Sequence, residues 1–236
     1  MKFISSLILI TVTFLLFSSC RREIDGSGHF VTESRSLPAF TEIESDGDFT
    51  VIVKEEAVQQ VQLYGEDNIL PYIITRVQGN RLRIFYNDYH RKFDDNGITI
   101  YISIPKLENV SMMGSGTISS EGTISGSSIT TVLSGSGKIQ MALDMLNTNT
   151  VLSGSGSIAL HGISDNAQHT ISGSGKIHAV DLESKNVTVN ISGSGNCEVH
   201  ATEHLNVHIS GSGDVLYIGS PAIETFISGS GSVRPF

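Results

Sequence analysis

The triplet Gly-Ser-Gly recurs at 114–116, 135–137, 154–156, 173–175, 193–195, 211–213 and 229–231, at intervals of 21, 19, 19, 20, 18 and 18 residues. A unit of about 19 residues cannot bury an apolar face of its own, so successive copies must stack to build a common core. That restricts this part of the chain to a solenoid. Whether the stack also carries chemistry is a separate question, answered residue by residue.

Alignment on the first glycine shows that the units are strands. Two residues before it stand Met112, Leu133, Leu152, Ile171, Ile191, Ile209 and Ile227. Four residues after it stand Ile118, Ile139, Ile158, Ile177, Cys197, Val215 and Val233, and six after it Ser120, Met141, Leu160, Ala179, Val199 and Tyr217. The residues between are mostly polar or variable. Period-two alternation on both sides of a glycine corner predicts two inward-facing strands per unit, stacked in parallel so that like residues form aliphatic columns. Burying each such side chain contributes roughly 1.5–3 kcal/mol. About ten coils at roughly 4.8 Å each would make a body near 50 Å long.

The structural turns assigned by this reading are Gly114, Gly116, Gly135, Gly137, Gly154, Gly156, Gly173, Gly175, Gly193, Gly195, Gly211, Gly213, Gly229 and Gly231. Glycine suits a corner that needs positive φ or a close backbone approach. The serines between them would form a hydroxyl row. A nucleophile elbow also uses glycine and serine, but its strand-turn-helix context is missing here, and one active site does not need seven equivalent corners. Calcium rolls require a regular Asp, and only Asp214 directly follows a triplet. His200, His204 and His208 are spaced by four, as helical metal ligands would be. Because Thr202-Glu203 reads as the opposite bend and Val207-His208-Ile209 leads into a corner in strand register, these and His161, His169 and His178 read as outward surface residues. No catalytic residue, metal site or cofactor is assigned. Cys197 replaces an Ile or Val of its column and is expected to be a buried small apolar residue.

The N-terminus reads as an export signal. Lys2 precedes an almost continuously apolar run from Phe3 to Phe17, which is shorter than the roughly 20 residues of a membrane span. Ser18, Ser19 and Cys20 then resemble a bacterial lipobox, with Cys20 as the lipidated residue. The expected organisation is a lipoprotein signal over 1–19, the lipidated cysteine and a polar tether over 20–34, and one solenoid domain over 35–236. Within that domain, 35–110 would be irregular first coils and 111–236 the Gly-Ser-Gly repeats. The triplet at 26–28 shows no strand pattern around it and is placed in the tether. The formal charge of −9 becomes −10 if Lys2 is removed with the signal. An acidic chain without a basic cluster argues against nucleic acid as a partner. The expected membrane association is therefore through the lipid.

Between 30 and 110 the strand patterns are Phe49–Val53, Val61–Tyr64, Arg81–Phe85 and Ile98–Ile104, with one helical turn allowed over Asn68–Ile73. The longest stretch without a pattern, 86–97, mixes aromatics with both charge signs. It is either a solvated connector or a recognition loop, and Tyr89, His90, Arg91 and Phe93 are the ligand-binding candidates it offers.

The Ser-Gly-Ser-Gly-x-Ile repeat, the strand that begins at Asp46-Gly-Asp-Phe-Thr-Val-Ile-Val and the junction Pro105-Lys-Leu-Glu-Asn-Val-Ser-Met-Met-Gly-Ser-Gly resemble the head GIN domain of auto-transporter adhesins. The resemblance spans about 35 to 236. It implies an all-β, right-handed parallel β-helix-like fold and a place in the Gram-negative envelope, at the outer membrane and facing either the periplasm or the outside. Arg234-Pro235-Phe236 follows the last coil directly, with no evident membrane barrel, so lipid anchoring is expected in place of autotransport. The expected function is that of a non-enzymatic lipoprotein, an adhesin or binding scaffold for a glycan or protein, with self-association at the open end of the stack left as a further expectation. Two alternatives remain. One is a carbohydrate-active β-helix lyase or hydrolase, although Asp144, Asp165, Asp181, Glu183, Glu198, Glu203, Asp214 and Glu224 share no column. The other is a periplasmic structural or envelope-stress scaffold.

Overall fold

The computed structural model describes residues 23–87, 92–94 and 97–236. The signal segment, Cys20, Tyr89, His90 and Arg91 lie outside the described residues. The strands are β1 (Glu23–Asp25), β2 (Phe30–Arg35), β3 (Glu42–Asp46), β4 (Thr50–Glu55), β5 (Gln60–Glu66), β6 (Ile73–Gln78), β7 (Arg81–Tyr86), β8 (Lys92–Asp94), β9 (Thr99–Ile104) and β10 (Asn109–Gly114). The repeats supply β11 (Thr117–Gly135), β12 (Lys138–Gly154), β13 (Ser157–Gly173), β14 (Lys176–Gly193), β15 (Asn196–Gly211), β16 (Asp214–Ile218), β17 (Ala222–Gly229) and β18 (Ser232–Pro235). Among the described residues a single 3-10 turn, Leu70–Tyr72, interrupts them, and its Pro71 suits the first helical turn because the missing N–H has no partner there. The fold is a parallel β-solenoid.

Each repeat is one long strand that bends without losing its ladder. The register stacks Leu133 on Leu152, Ile171, Ile191, Ile209 and Ile227, and Ile118 on Ile139, Ile158, Ile177, Cys197 and Val215. All of these are buried except Ile227. The unequal intervals are absorbed away from the glycine corner. Register breaks fall between Ser119 and Thr123, between Ala159 and His161, and between Ala179 and Asn186, whereas the register through every Gly-Ser-Gly corner is unbroken. Thr202 and Glu203, expected at the bend opposite the corner, fall within the last of these breaks.

Corner geometry explains why the triplet does not vary. The first glycine of each carries φ between 123° and 137°, a region closed to most side chains. The second glycine serves a different purpose. A Cβ on Gly156 would lie 2.6 Å from the Gly137 carbonyl oxygen and 2.7 Å from Leu133 Cδ2 of the coil below. The carbonyl of Gly135 accepts from the N–H groups of both Ser155 and Gly156, at 3.1 and 3.0 Å, and that of Gly137 accepts from Ser157. The serine side chains point to solvent.

The region before residue 110 continues the same stack in a different chain order. β3 and β4 pair in parallel with β10 and β11, and on their other side with β7 and β9. The β3–β4 coil is therefore sandwiched between two segments that follow it in sequence. Its corner is Asp46-Gly47-Asp48, where the Gly47 carbonyl accepts from Gly116 N–H as later corners do. Beyond β7 and β9 the stack ends on antiparallel strands, β6 against β7 and β5 against β9, with β2 added to β5. The segment expected to be a tether thus contains two strands, β1 and β2, and Gly26-Ser27-Gly28 lies between them. The sequence pattern hid these strands because β2 is an outer edge strand with no fully buried residue.

Candidate functional site

A second corner runs along the stack, and the sequence marks it in one coil alone, at the bend expected at Thr202-Glu203. Inward-facing residues change parity between Met145 and Thr148, between Ser164 and Ala167, and between Ser184 and Val187. At that change stand Asn147, Asn166 and Asn186, paired in register. Asn166 Nδ2 donates to Asn147 Oδ1 at 3.1 Å and Asn186 Nδ2 to Asn166 Oδ1 at 3.0 Å. The signal was present, since each asparagine lies seven residues before the next corner glycine. Between the asparagine and glycine corners lies a straight face whose outward side chains form three rows.

The row nearest the glycine corner is serine, and Ser172, Ser192, Ser210 and Ser228 form its upper part. The middle row changes along the stack from Val132 and Val151 to Thr170, Asn190, His208 and Phe226. Between the upper parts of these rows the surface dips into an open groove of about 500 Å³, floored by the strands through Ile171, Ile191 and Ile209. Its lining contains hydroxyls, an amide, an imidazole and one aromatic ring, and no Asp, Glu, Lys or Arg. Phe226 is 66% exposed and its ring centroid is 6.2 Å from that of His208. Such a lining offers neutral donors and acceptors beside an apolar face.

Charged groups cluster elsewhere. Glu198 Oε1 meets Lys176 Nζ at 2.9 Å, and Oε2 meets His178 Nδ1 at 2.7 Å. Burial pushes the Glu198 carboxyl toward its neutral form, but hydrogen bonds from Lys176 and His178, with their charge, outweigh this and hold its pKa below the usual value. At the N-terminal end, Arg81 bridges Glu42 and Glu44, and Arg83 Nε donates to Glu44 at 2.7 Å. Both clusters are paired internally. Among the described residues no group of three or more His, Cys, Asp or Glu is placed to hold a metal.

Of the expected loop residues, Phe93 alone is described. It is partly buried in β8, which pairs in parallel with β1, and its ring stacks on Tyr86 at 4.7 Å and meets Tyr72 at 5.3 Å. Tyr86 also packs on Phe49 at 4.6 Å. The ring is thus engaged with the body of the solenoid. Among the histidines, one expectation is corrected. His169 points inward in the column Thr150, His169, Val189 and is buried, and burial lowers its pKa to about 4. Its Nδ1 and the hydroxyls of Thr131 and Thr150 below it have no hydrogen-bond partner. Strand parity, counted back from the corner, identifies His169 as inward. Cys197 is buried as expected, and burial, with Glu198 nearby, pushes its thiol pKa upward.

The chain is similar to several solved structures. A putative adhesin from Bacteroides fragilis NCTC 9343 superposes with a TM-score of 0.86 at 25% identity, covering 90% of this chain and all of that one. A putative lipid binding protein from Parabacteroides distasonis ATCC 8503 gives 0.77 at 25% identity, covering 91% and 100%. A putative adhesin from Parabacteroides merdae ATCC 43184 shares the fold, with a TM-score of 0.70 at 20% identity over 91% of this chain and 99% of that one. No curated protein matches the chain. No helix among the described residues is long and apolar enough to cross a membrane. The family model described as "Putative auto-transporter adhesin, head GIN domain" matches residues 39–221, and the chain belongs to that family.

Proposed function

We propose that this protein is a non-enzymatic, lipid-anchored adhesin of the bacterial envelope, and that it holds a neutral glycan in the groove beside Phe226. The adhesin-like part of this reading is supported by the family and by the neighbours named as adhesins. The glycan rests on one observation, the uncharged groove with an exposed aromatic ring at its end. Sugars present alternating hydroxyls and C–H faces, which match rows of Ser, Thr, Asn and His beside a phenyl ring. The solenoid keeps these rows at the fixed strand spacing of about 4.8 Å, so little side-chain order is lost on binding.

The full chain, solubilised in detergent, should bind at least one neutral oligosaccharide on an array. Phe226→Ala should weaken that binding about tenfold, the loss expected for one aromatic contact. Absence of glycan binding, or unchanged binding by the variant, refutes the assignment. Binding of the same protein to vesicles with the lipid on Cys20 removed would instead favour a lipid ligand. The anchor is tested separately: Cys20→Ser should move the chain from the membrane to the soluble fraction of cells.

A further inference from the structure

The last coil repeats the pattern of the coils below it but lacks their cover. Leu205 and Ile209 are 1% exposed, whereas Ile223 and Ile227, directly above them in register, are 43% and 40% exposed. Every residue of β17 is exposed. Among the described residues β17 pairs only with β15, so the backbone groups along its other edge have no strand partner. Edge strands are usually blunted by Lys, Pro or a bulge. β17 has none of these, and Glu224 is its only charge. β18 ends instead on Pro235, which has no N–H to offer.

We propose that β17 pairs antiparallel with β17 of a second copy about a two-fold axis at Thr225, joining two solenoids end to end. Three observations favour a second copy as the occupant. The opposite end of this same stack finishes on antiparallel strands, β6 and β2 with β5, so a head-to-tail copy would not continue the parallel columns, whereas an isologous pair sets like strand against like. Residues opposite one another in an antiparallel pair share a face, and a register centred on Thr225 sets Ile223 against the second copy's Ile227 and Thr225 against its own mate. Every inward residue of β17 then meets another inward residue, and the aliphatic columns run through the junction. Charge permits the approach as well. The chain carries a net −9, yet β17 and β18 together hold one acid, Glu224, and one base, Arg234.

The same register sets Glu224 of the second copy beside Phe226, where the groove opens at the end of the stack. Two grooves then become one, continuous across the axis. The pairing itself rests on the terminal coil and does not depend on what the groove binds.

The full chain in detergent, with Cys20→Ser to remove the other reactive thiol, tests the pairing. Thr225→Cys should give a disulfide-linked dimer under mild oxidation, because opposed residues in an antiparallel pair lie within disulfide range. Ser136→Cys, at a corner far from the junction, should not. Sedimentation velocity should show a dimer at micromolar concentration, and Ile223→Lys should raise its dissociation constant at least tenfold. If Ile223→Lys fails to fold, the cysteine result decides alone. A monomer that cross-links no better through Thr225→Cys than through Ser136→Cys overturns the proposal, as does cross-linking to a different protein.

Discussion

One solenoid has two ends built on different terms. At the N-terminal end β6 and β5 lie antiparallel against the outermost coil and β2 antiparallel against β5, so Leu63, Leu82 and Ile84 are as buried as any residue in the middle of the stack. At the C-terminal end β17 is the outermost strand on this face among the described residues, and Ile227, in the same column as Ile209, is 40% exposed. The columns themselves are alike. What differs is whether another strand follows, which shows that burial in a solenoid belongs to the pair of coils and not to either alone.

The sharpest way to break this comparison is to place the same charge in the same structural position at two heights. Ile171→Asp, between Leu152 and Ile191, should remove on the order of 4 kcal/mol or more and unfold the stack, because an unpaired carboxylate there has no route to water. Ile227→Asp should cost about 1 kcal/mol in the monomer, since it remains partly hydrated. Urea melts below the dimerisation concentration compare them. Equal losses would mean that the terminal coil is covered as the interior is.

A smaller effect is expected from pH, and it belongs to the interior alone. Burial lowers the His169 pKa from 6.5 to about 4, so between those values the unfolded chain binds a proton that the folded chain does not. Stability is complete above pH ~6.5 and should fall by about 3 kcal/mol as pH drops toward 4, because each pH unit crossed in that window costs about 1.4 kcal/mol. His169→Val, which copies Val189 in the next coil, should flatten this part of the stability–pH curve. An unchanged curve would place the imidazole in contact with solvent.

The corners should give the smallest effects. Asn166→Ala removes two side-chain bonds of the ladder and should cost about 1 kcal/mol in a thermal or urea melt, because the site is exposed. Ala222 occupies the equivalent register above His204 and already lacks an amide, so Ala222→Gly should cost less than Asn166→Ala. Ser174→Ala, at an exposed corner serine, should stay within about 0.5 kcal/mol. A larger loss there would mean that the hydroxyl row bonds along the stack.

Much of this fold is legible in the chain alone. The glycine corners, the columns through Ile118, Ile139, Ile158 and Ile177, and the strands near Phe49, Val61, Arg81 and Ile98 are period-two patterns punctuated by residues with special backbone needs. Those patterns persist in the fold because the same local sterics act in both. Where local pattern is weak the reading fails. β2 and β6 are edge strands, half solvated, so their sequences carry little alternation. His169 looks like a surface residue because histidine usually is one, and strand parity overrules composition. The groove is not legible as a site at all. Thr170, Asn190, His208 and Phe226 lie 18 to 20 residues apart, and each is ordinary in its own repeat.

The amino-acid sequence by itself determined that units of one length must stack, which residues face inward, and where the chain must turn. These follow from alternation and from glycine, both local properties. Tertiary structure alone decided the order of the first coils, with β3 and β4 lying between segments that come later in the chain, and which end is closed. Those are matters of long-range pairing, in which several strands of similar pattern compete for the same edge and only their joint packing selects one arrangement.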